Sequence, residues 1–432
     1  MRGWSGPTDV AGGVTSPHPD RHKLTTPMRC ARSYRRGVFE LDPRAQLNHP
    51  ISQKGAPLVK RSLRSTVAAA IAVGAMFATA ATAMAETKGA GASFPRLAYQ
   101  TWCQDSGGLC SYTSKGSTGG INDLINGLVD FGASDAPLTD TQKADLAAKR
   151  GGSGVLYFPT LLGAVSIPVN VPGAPSNIQL RSRTVGRIFA GAITNWSDPQ
   201  IKADNALSPR TKSFKFPNLG ITACVRQDGS GTSFVTSNFL GKASPEFKAR
   251  GSASQLPNWG APQIIRSPQN VGVANCVKTT SGAIGYVDLG DARNAGLARN
   301  LVAVGKSEVV KVRKRVKGKI KLVTKRRLVF IVPSVNAIVR AGNVPDSRIP
   351  KDLTADLTLS PAKAAYPIVN TTWVLAYTNY NAAGKGGSVA GVKSTLNYFY
   401  SSGAQSKLSS LGFAPLPASL LSKAKAQLSL LK

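Results

Sequence analysis

Histidine is nearly missing from this 432-residue chain: His18, His22 and His49 are the full set, all near the start. Beyond His49 there is therefore no residue for a Ser-His-Asp triad, a Cys-His pair or a histidine metal site. Acids are scarce too, with 21 Asp and Glu against 54 Lys and Arg and a formal net charge of +33. The five cysteines show no C-x-x-C spacing, which argues against zinc. A Walker-type Gly-x4-Gly-Lys-Ser/Thr loop is also lacking, so a phosphatase or nucleotide-driven enzyme is not expected. Nor is any catalytic residue, cofactor or metal.

Long apolar runs are absent except for one, from about Thr66 to Ala85. Lys60, Arg61 and Arg64 precede it and Ala83-Met84-Ala85 closes it. A basic front, an alanine-rich middle and a small-x-small finish describe a secretory signal over 59–85, cut before Glu86. Residues 1–58, rich in Pro, Arg and Gly without periodicity, are then a disordered leader or a start-site artefact. Export places the protein in a periplasm or extracellular envelope, where cysteines oxidise. Cys103–Cys110 would close a small loop, leaving Cys224–Cys276 as the second pair. Residues 1–85 hold about a quarter of the net charge. Much of the rest lies between Lys306 and Arg327, where eleven Lys or Arg face one acid, Glu308. Export and the lack of a basic helix argue against nucleic acid as the partner.

What is present is a recurrent device. Arg226-Gln227-Asp228-Gly229-Ser230-Gly231-Thr232 sits between the apolar run Ile221–Val225 and Phe234-Val235, a strand, glycine-rich turn and helix start. Unpartnered N–H groups and the helix dipole make such a turn an anion cradle, to which Arg226 adds a forked cationic donor. Ser230 and Thr232 are equally ordinary helix-capping residues, so the turn alone leaves both readings open. Lys115-Gly116-Ser117-Thr118-Gly119-Gly120 repeats the device before Ile121, Leu124, Ile125 and Leu128 at helical spacing. Val129–Asp135 reads as a strand ending in an acid, followed by Ala136-Pro137. Val155–Pro159 and Leu161–Val171 read as buried strands of an α/β sheet, Gly282–Val287 as one short strand, and Tyr366–Tyr377 as another. Lys and Arg alternate with Val310, Val312, Val316, Ile320 and Leu322 around Gly318, a projecting β-hairpin. Its charges suit edge protection, and anionic cell-wall polymers are a further candidate partner.

Taken together, Gly89-Ala90-Gly91-Ala92-Ser93-Phe94-Pro95, Gly116–Gly120, Asp130–Leu138 and Arg226–Phe234 resemble the phosphate-binding component of high-affinity phosphate ABC importers. Pro168–Gly173, Gly282–Tyr286 and Tyr366-Pro367-Ile368 add to a resemblance that runs from Gly89 to the C-terminus. It implies a two-lobed Venus-flytrap α/β fold of type II periplasmic binding proteins, crossed twice by the chain. Lobe I would hold 86–168 and 366–432, and lobe II 169–365 with the basic hairpin at 306–327. The implied function is binding of inorganic phosphate in the cleft by a monomer and its delivery to a membrane permease. The alternatives are another oxyanion, an organic phosphate, or a surface phosphate scavenger or adhesin. The family's contacts fall on Ala92, Ser93, Phe94, Ser117 and Asp135 of one lobe and Arg226, Ser230, Gly231 and Thr232 of the other, with Asp228 orienting Arg226. Three departures stand out: Ser93 where Thr is frequent, a longer and more basic hairpin, and no lipidation Cys after the signal.

Phosphate near neutral pH carries both charge and protons. Hydroxyls and N–H groups can donate to its oxygens, while an ionised Asp135 can only accept and so requires a protonated ligand oxygen. Sulfate offers none, and an unmatched buried acceptor discriminates strongly against it. A turn-forming Asp before Ala-Pro is the plainer role for Asp135, as a surface pair with Asp228 is for Arg226.

Overall fold

The computed structural model describes residues 85–432, apart from 252, 317 and 318 and the side chains of 316, 319 and 321. The leader and all but the end of the signal segment lie outside the described residues. Among the described residues no helix is long and apolar enough to cross a membrane.

Two sheets carry the molecule. The first has six strands in the order Val287–Asp288, Val155–Ser166, Val369–Tyr377, Phe131–Ser134, Thr87–Gly91, Cys110–Ser114. Its last three strands run parallel, while Val369–Tyr377 pairs antiparallel with both neighbours. The second has four strands, Val169–Asn170, Ala283–Gly285, Thr222–Arg226 and Gln263–Ser267. Each has helices packed on it, because strands such as Phe131–Ser134, Thr222–Arg226 and Val369–Tyr377 are buried along their whole length. These are two α/β lobes. Ile167 and Pro168 lead from the first sheet to the second, and Tyr286 leads back.

That return differs from the sequence reading. Gly282–Val287 is one apolar run by composition, but the structure divides it between the sheets. Ala283–Gly285 belongs to the second and Val287–Asp288 extends the edge of the first. A second difference lies at Pro159. Read as a strand end, it sits inside the continuous strand Val155–Ser166 at a β-bulge, where Trp373 faces Pro159 and Thr372 faces Leu161. The unpaired residue is Thr160, and a bulge is where a strand accepts a proline.

Both disulfides form. Cys103–Cys110 joins the helix Arg96–Asp105 to the next strand, and Cys224–Cys276 joins Thr222–Arg226 to the helix Gln269–Thr279, with Cα atoms 6.0 Å apart. The basic segment is a long antiparallel hairpin, Ala303–Val316 with Lys319–Ile331. Among the described residues only its base has a third strand, since Ala303, Val304 and Gly305 pair with Gln179–Arg181.

Candidate functional site

The site forms where three glycine-containing turns end strands and begin helices. Gly116 has φ +83, a left-handed backbone that glycine adopts at little cost, and starts the helix Ser117–Ile125. A Cβ on Gly116 would lie 2.2 Å from Asp228 Oδ2, so the residue also allows the second lobe's turn to approach. On that lobe, Ser230 caps the helix Gly231–Ala243 by accepting the Ser233 N–H at 3.1 Å. Capping uses a lone pair of the Ser230 hydroxyl and leaves its proton free, so the capping and anion readings are compatible. The third turn, Gly91–Pro95, puts buried Ser93 before the helix Arg96–Asp105.

The lobes touch directly around these turns. Thr118 N donates to Gly229 O (3.1 Å), Gly231 N to Ser117 Oγ (3.0 Å) and Thr118 Oγ1 to Gln255 Oε1 (2.7 Å). Gln269 exchanges two bonds with Ser114, at 2.9 and 3.1 Å. This is a closed arrangement. Ser117 Oγ also accepts from Asp135 N (3.3 Å), and with two N–H groups directed at its oxygen the hydroxyl proton points elsewhere. A Cβ on Gly231 would meet both Asp135 Oδ2 and Ser117 Oγ at 2.5 Å, which shows how tightly the lobes converge there.

Asp135 is 1% exposed. Its Oδ1 accepts from Thr372 Oγ1 at 2.7 Å, and its Oδ2 has no partner among the described residues. Burial raises its pKa to about 7, against the opposing Thr372 hydrogen bond and the Arg226 charge. Ser93 Oγ and Thr232 Oγ1 are likewise buried without partners. Unpartnered buried polar atoms are costly and uncommon in native proteins, and three of them fall within the predicted contact set.

Arg226 is buried to 1% exposure. Its Nε donates to Asp228 Oδ1 at 2.9 Å, Nη2 pairs with Asp228 Oδ2, and Nη1 donates to Asn270 Oδ1 at 2.7 Å. Asp228 is held further by Gln269 N (2.9 Å). Burial alone would raise the Asp228 pKa, but the Arg226 hydrogen bonds and charge outweigh it and keep the carboxyl below its ordinary value. The guanidinium is thus fixed on two sides, and one N–H on each terminal nitrogen remains for a ligand.

The remaining predicted positions play different parts. Ala92 gives both backbone groups to its own lobe, its N–H to Ala133 O (2.9 Å) and its carbonyl to the Tyr112 hydroxyl (2.6 Å), so it shapes the turn. Phe94 packs its buried ring near Phe413, with centroids 6.0 Å apart. Thr372, Asn370 and Asn270 escaped the sequence reading. Asn370 donates to Asp135 O at 3.1 Å, and Asn270 joins Arg226 to buried Asp288, donating to its Oδ2 at 2.8 Å. The signal for the first two was available: Asn370-Thr371-Thr372 is a polar triplet within an apolar strand, and buried polar groups need partners.

Comparison with known proteins agrees with this architecture. The chain is 28% identical over 345 residues to the phosphate-binding protein PstS of Xylella fastidiosa (strain 9a5c), covering 78% of this chain and 83% of that one. It is 34% identical over 215 residues to the PstS of Haemophilus influenzae, covering 49% of this chain and 60% of that protein. Among solved structures, a high affinity periplasmic phosphate-binding protein (PfluDING) bound with phosphate superposes with a TM-score of 0.59 at 19% identity. The match spans 79% of this chain and 93% of that one, and shows a shared fold. The model of the PBP superfamily domain matches residues 78–402, and the chain belongs to that superfamily.

Proposed function

We propose that this exported chain binds inorganic phosphate between its lobes and delivers it to the membrane permease of an ABC-type importer, acting as a carrier rather than an enzyme. The observation that carries this reading is the set of three buried atoms, Ser93 Oγ, Thr232 Oγ1 and Asp135 Oδ2, without partners among the described residues, together with a buried Arg226 fixed by Asp228 and Asn270. Two hydroxyl donors, a cation and one acceptor are what a partly protonated tetrahedral oxyanion needs. Ser117 and Ser230 add further hydroxyl protons, since each is oriented by the N–H groups it accepts.

Recognition follows from the donor count. Each hydrogen bond to a charged oxygen contributes about 1.5–3 kcal/mol, so several are required to offset removing the anion from water. Arg226 supplies charge without moving, because Asp228 and Asn270 already hold it. Asp135 supplies selection. Ionised, it accepts the proton of a P–OH group, and it repels an anion that carries none. The relatives named for phosphate binding support the same ligand, and the inferred delivery to a permease rests on the family resemblance. Calorimetry of the purified protein with phosphate and then sulfate tests the proposal. Tight phosphate binding with little sulfate binding is expected, and the reverse order, or heat with neither, would overturn it.

A further inference from the structure

The basic hairpin has a feature that charge alone does not explain. Alternation along Ala303–Val316 and Lys319–Ile331 sorts its side chains onto two faces, with Val309 opposite Arg326, Lys311 opposite Thr324, Arg313 opposite Leu322 and Arg315 opposite Ile320. One face therefore presents Val309, Leu322 and Ile320, exposed by 67, 67 and 70%, interleaved with Lys311, Arg313, Arg315 and Arg326. On the other face Val312 lies across from Val323, both half-buried. The arm is firmly rooted. Lys306 Nζ donates to Ser360 O (2.9 Å) and Ala362 O (2.7 Å), and Glu308 Oε1 accepts Ala364 N at 2.6 Å. That root takes up Glu308, the single acid of the segment, and the third strand stops at Gly305. Beyond Glu308 the paired strands run on to Val316 and Lys319, about 25 Å at the usual rise of a strand.

We propose that this face of the hairpin docks the protein on an anionic lipid bilayer. Lysines that guard a free sheet edge explain positive charge but not three aliphatic side chains standing in water among them. A soluble polyanion would engage the cations and leave the aliphatics exposed. The boundary between headgroups and acyl chains offers phosphates to Lys311, Arg313, Arg315 and Arg326 and an apolar layer to Val309, Ile320 and Leu322. Among the described residues no hairpin residue is a hydrogen-bond partner of Arg226 or Asp135, so docking is proposed not to depend on the identity of the bound anion.

Flotation of the purified protein with phosphatidylglycerol–phosphatidylcholine vesicles, against phosphatidylcholine alone, tests this. Binding to the anionic vesicles only is expected. Arg313→Gln with Arg315→Gln should weaken it at least about tenfold, as should Ile320→Ser with Leu322→Ser. Unchanged phosphate calorimetry will verify that the variants fold. Failure of the wild-type protein to float with anionic vesicles overturns the proposal. So does an aliphatic-to-serine variant that floats like wild type while soluble polyphosphate strips both equally, which would mark a polyelectrolyte site. As a measurement independent of those variants, an environment-sensitive fluorophore at Thr324→Cys should shift to the blue on anionic vesicles. An unshifted spectrum refutes insertion.

Discussion

Replacing Asp135 by Asn tests the division of labour at the site most directly. The amide is nearly isosteric, and its oxygen can keep the Thr372 hydrogen bond now made at 2.7 Å. What changes is the atom in the position of Oδ2, buried and unpartnered, which turns from an acceptor into a donor. For phosphate the variant loses one charge-assisted bond, about 1.5–3 kcal/mol, so affinity should fall about ten- to hundredfold. For sulfate it removes an unpaired buried acceptor, a feature that can discriminate by about ten-thousandfold. Preference for phosphate over sulfate should therefore collapse by about a hundredfold or more, read by calorimetry with both anions. Equal losses for the two would refute the selective role.

The pH dependence supplies a second arm. With its pKa raised from 3.8 to about 7, Asp135 is protonated in the folded protein over a range where the unfolded chain is ionised. Below about pH 4 both states hold the proton and the group costs nothing. Between about pH 4 and 7 the unfolded chain gives up its proton while the folded protein, held by burial, keeps it, so stability falls by about 4 kcal/mol across that range and levels off above 7. In phosphate-free buffer Asp135→Asn should accordingly melt higher than wild type at pH 8, with the gap closing toward pH 4. Wild-type sulfate binding should strengthen below pH 7, where the acid can donate, and remain flat with pH in the variant. A melting gap independent of pH would show that Asp135 is not the titrating group.

Three further outcomes are expected. Arg226→Ala should weaken phosphate binding by at least about a hundredfold, since it removes a charged two-pronged donor, and unchanged affinity by calorimetry would exclude Arg226 from the site. Gly231→Ala should place a methyl group 2.5 Å from Asp135 Oδ2 and Ser117 Oγ, preventing closure; binding should drop without a matching fall in melting temperature, and a parallel fall in both would point to a fold defect. Cys224→Ser with Cys276→Ser opens a loop spanning 52 positions, for which chain entropy gives about 4 kcal/mol, so denaturant midpoints should fall; an unchanged midpoint would show that the helix Gln269–Thr279 stays docked without the bond.

Local chemistry is legible in a sequence because neighbours along the chain remain neighbours in space. Gly116, Ser117, Asp228, Ser230 and Gly231 announce strand–turn–helix corners, since only certain residue types cap helices or permit a left-handed backbone. Histidine scarcity, the apolar segment before Glu86 and the alternation of the basic hairpin could be read in the same way. Tertiary structure decided what no local pattern encodes. The Thr372 hydroxyl reaches Asp135 across 237 positions because Val369–Tyr377 pairs antiparallel with Phe131–Ser134, with Trp373 opposite Ser134. Asn270 reaches Arg226 because a disulfide-tied helix lies beside its strand. The division of Gly282–Val287 between two sheets likewise depends on partners far along the chain. Sequence by itself determined which groups could grip an anion, while packing decided which of their buried atoms stay unpartnered, because desolvation and register belong to the assembled fold.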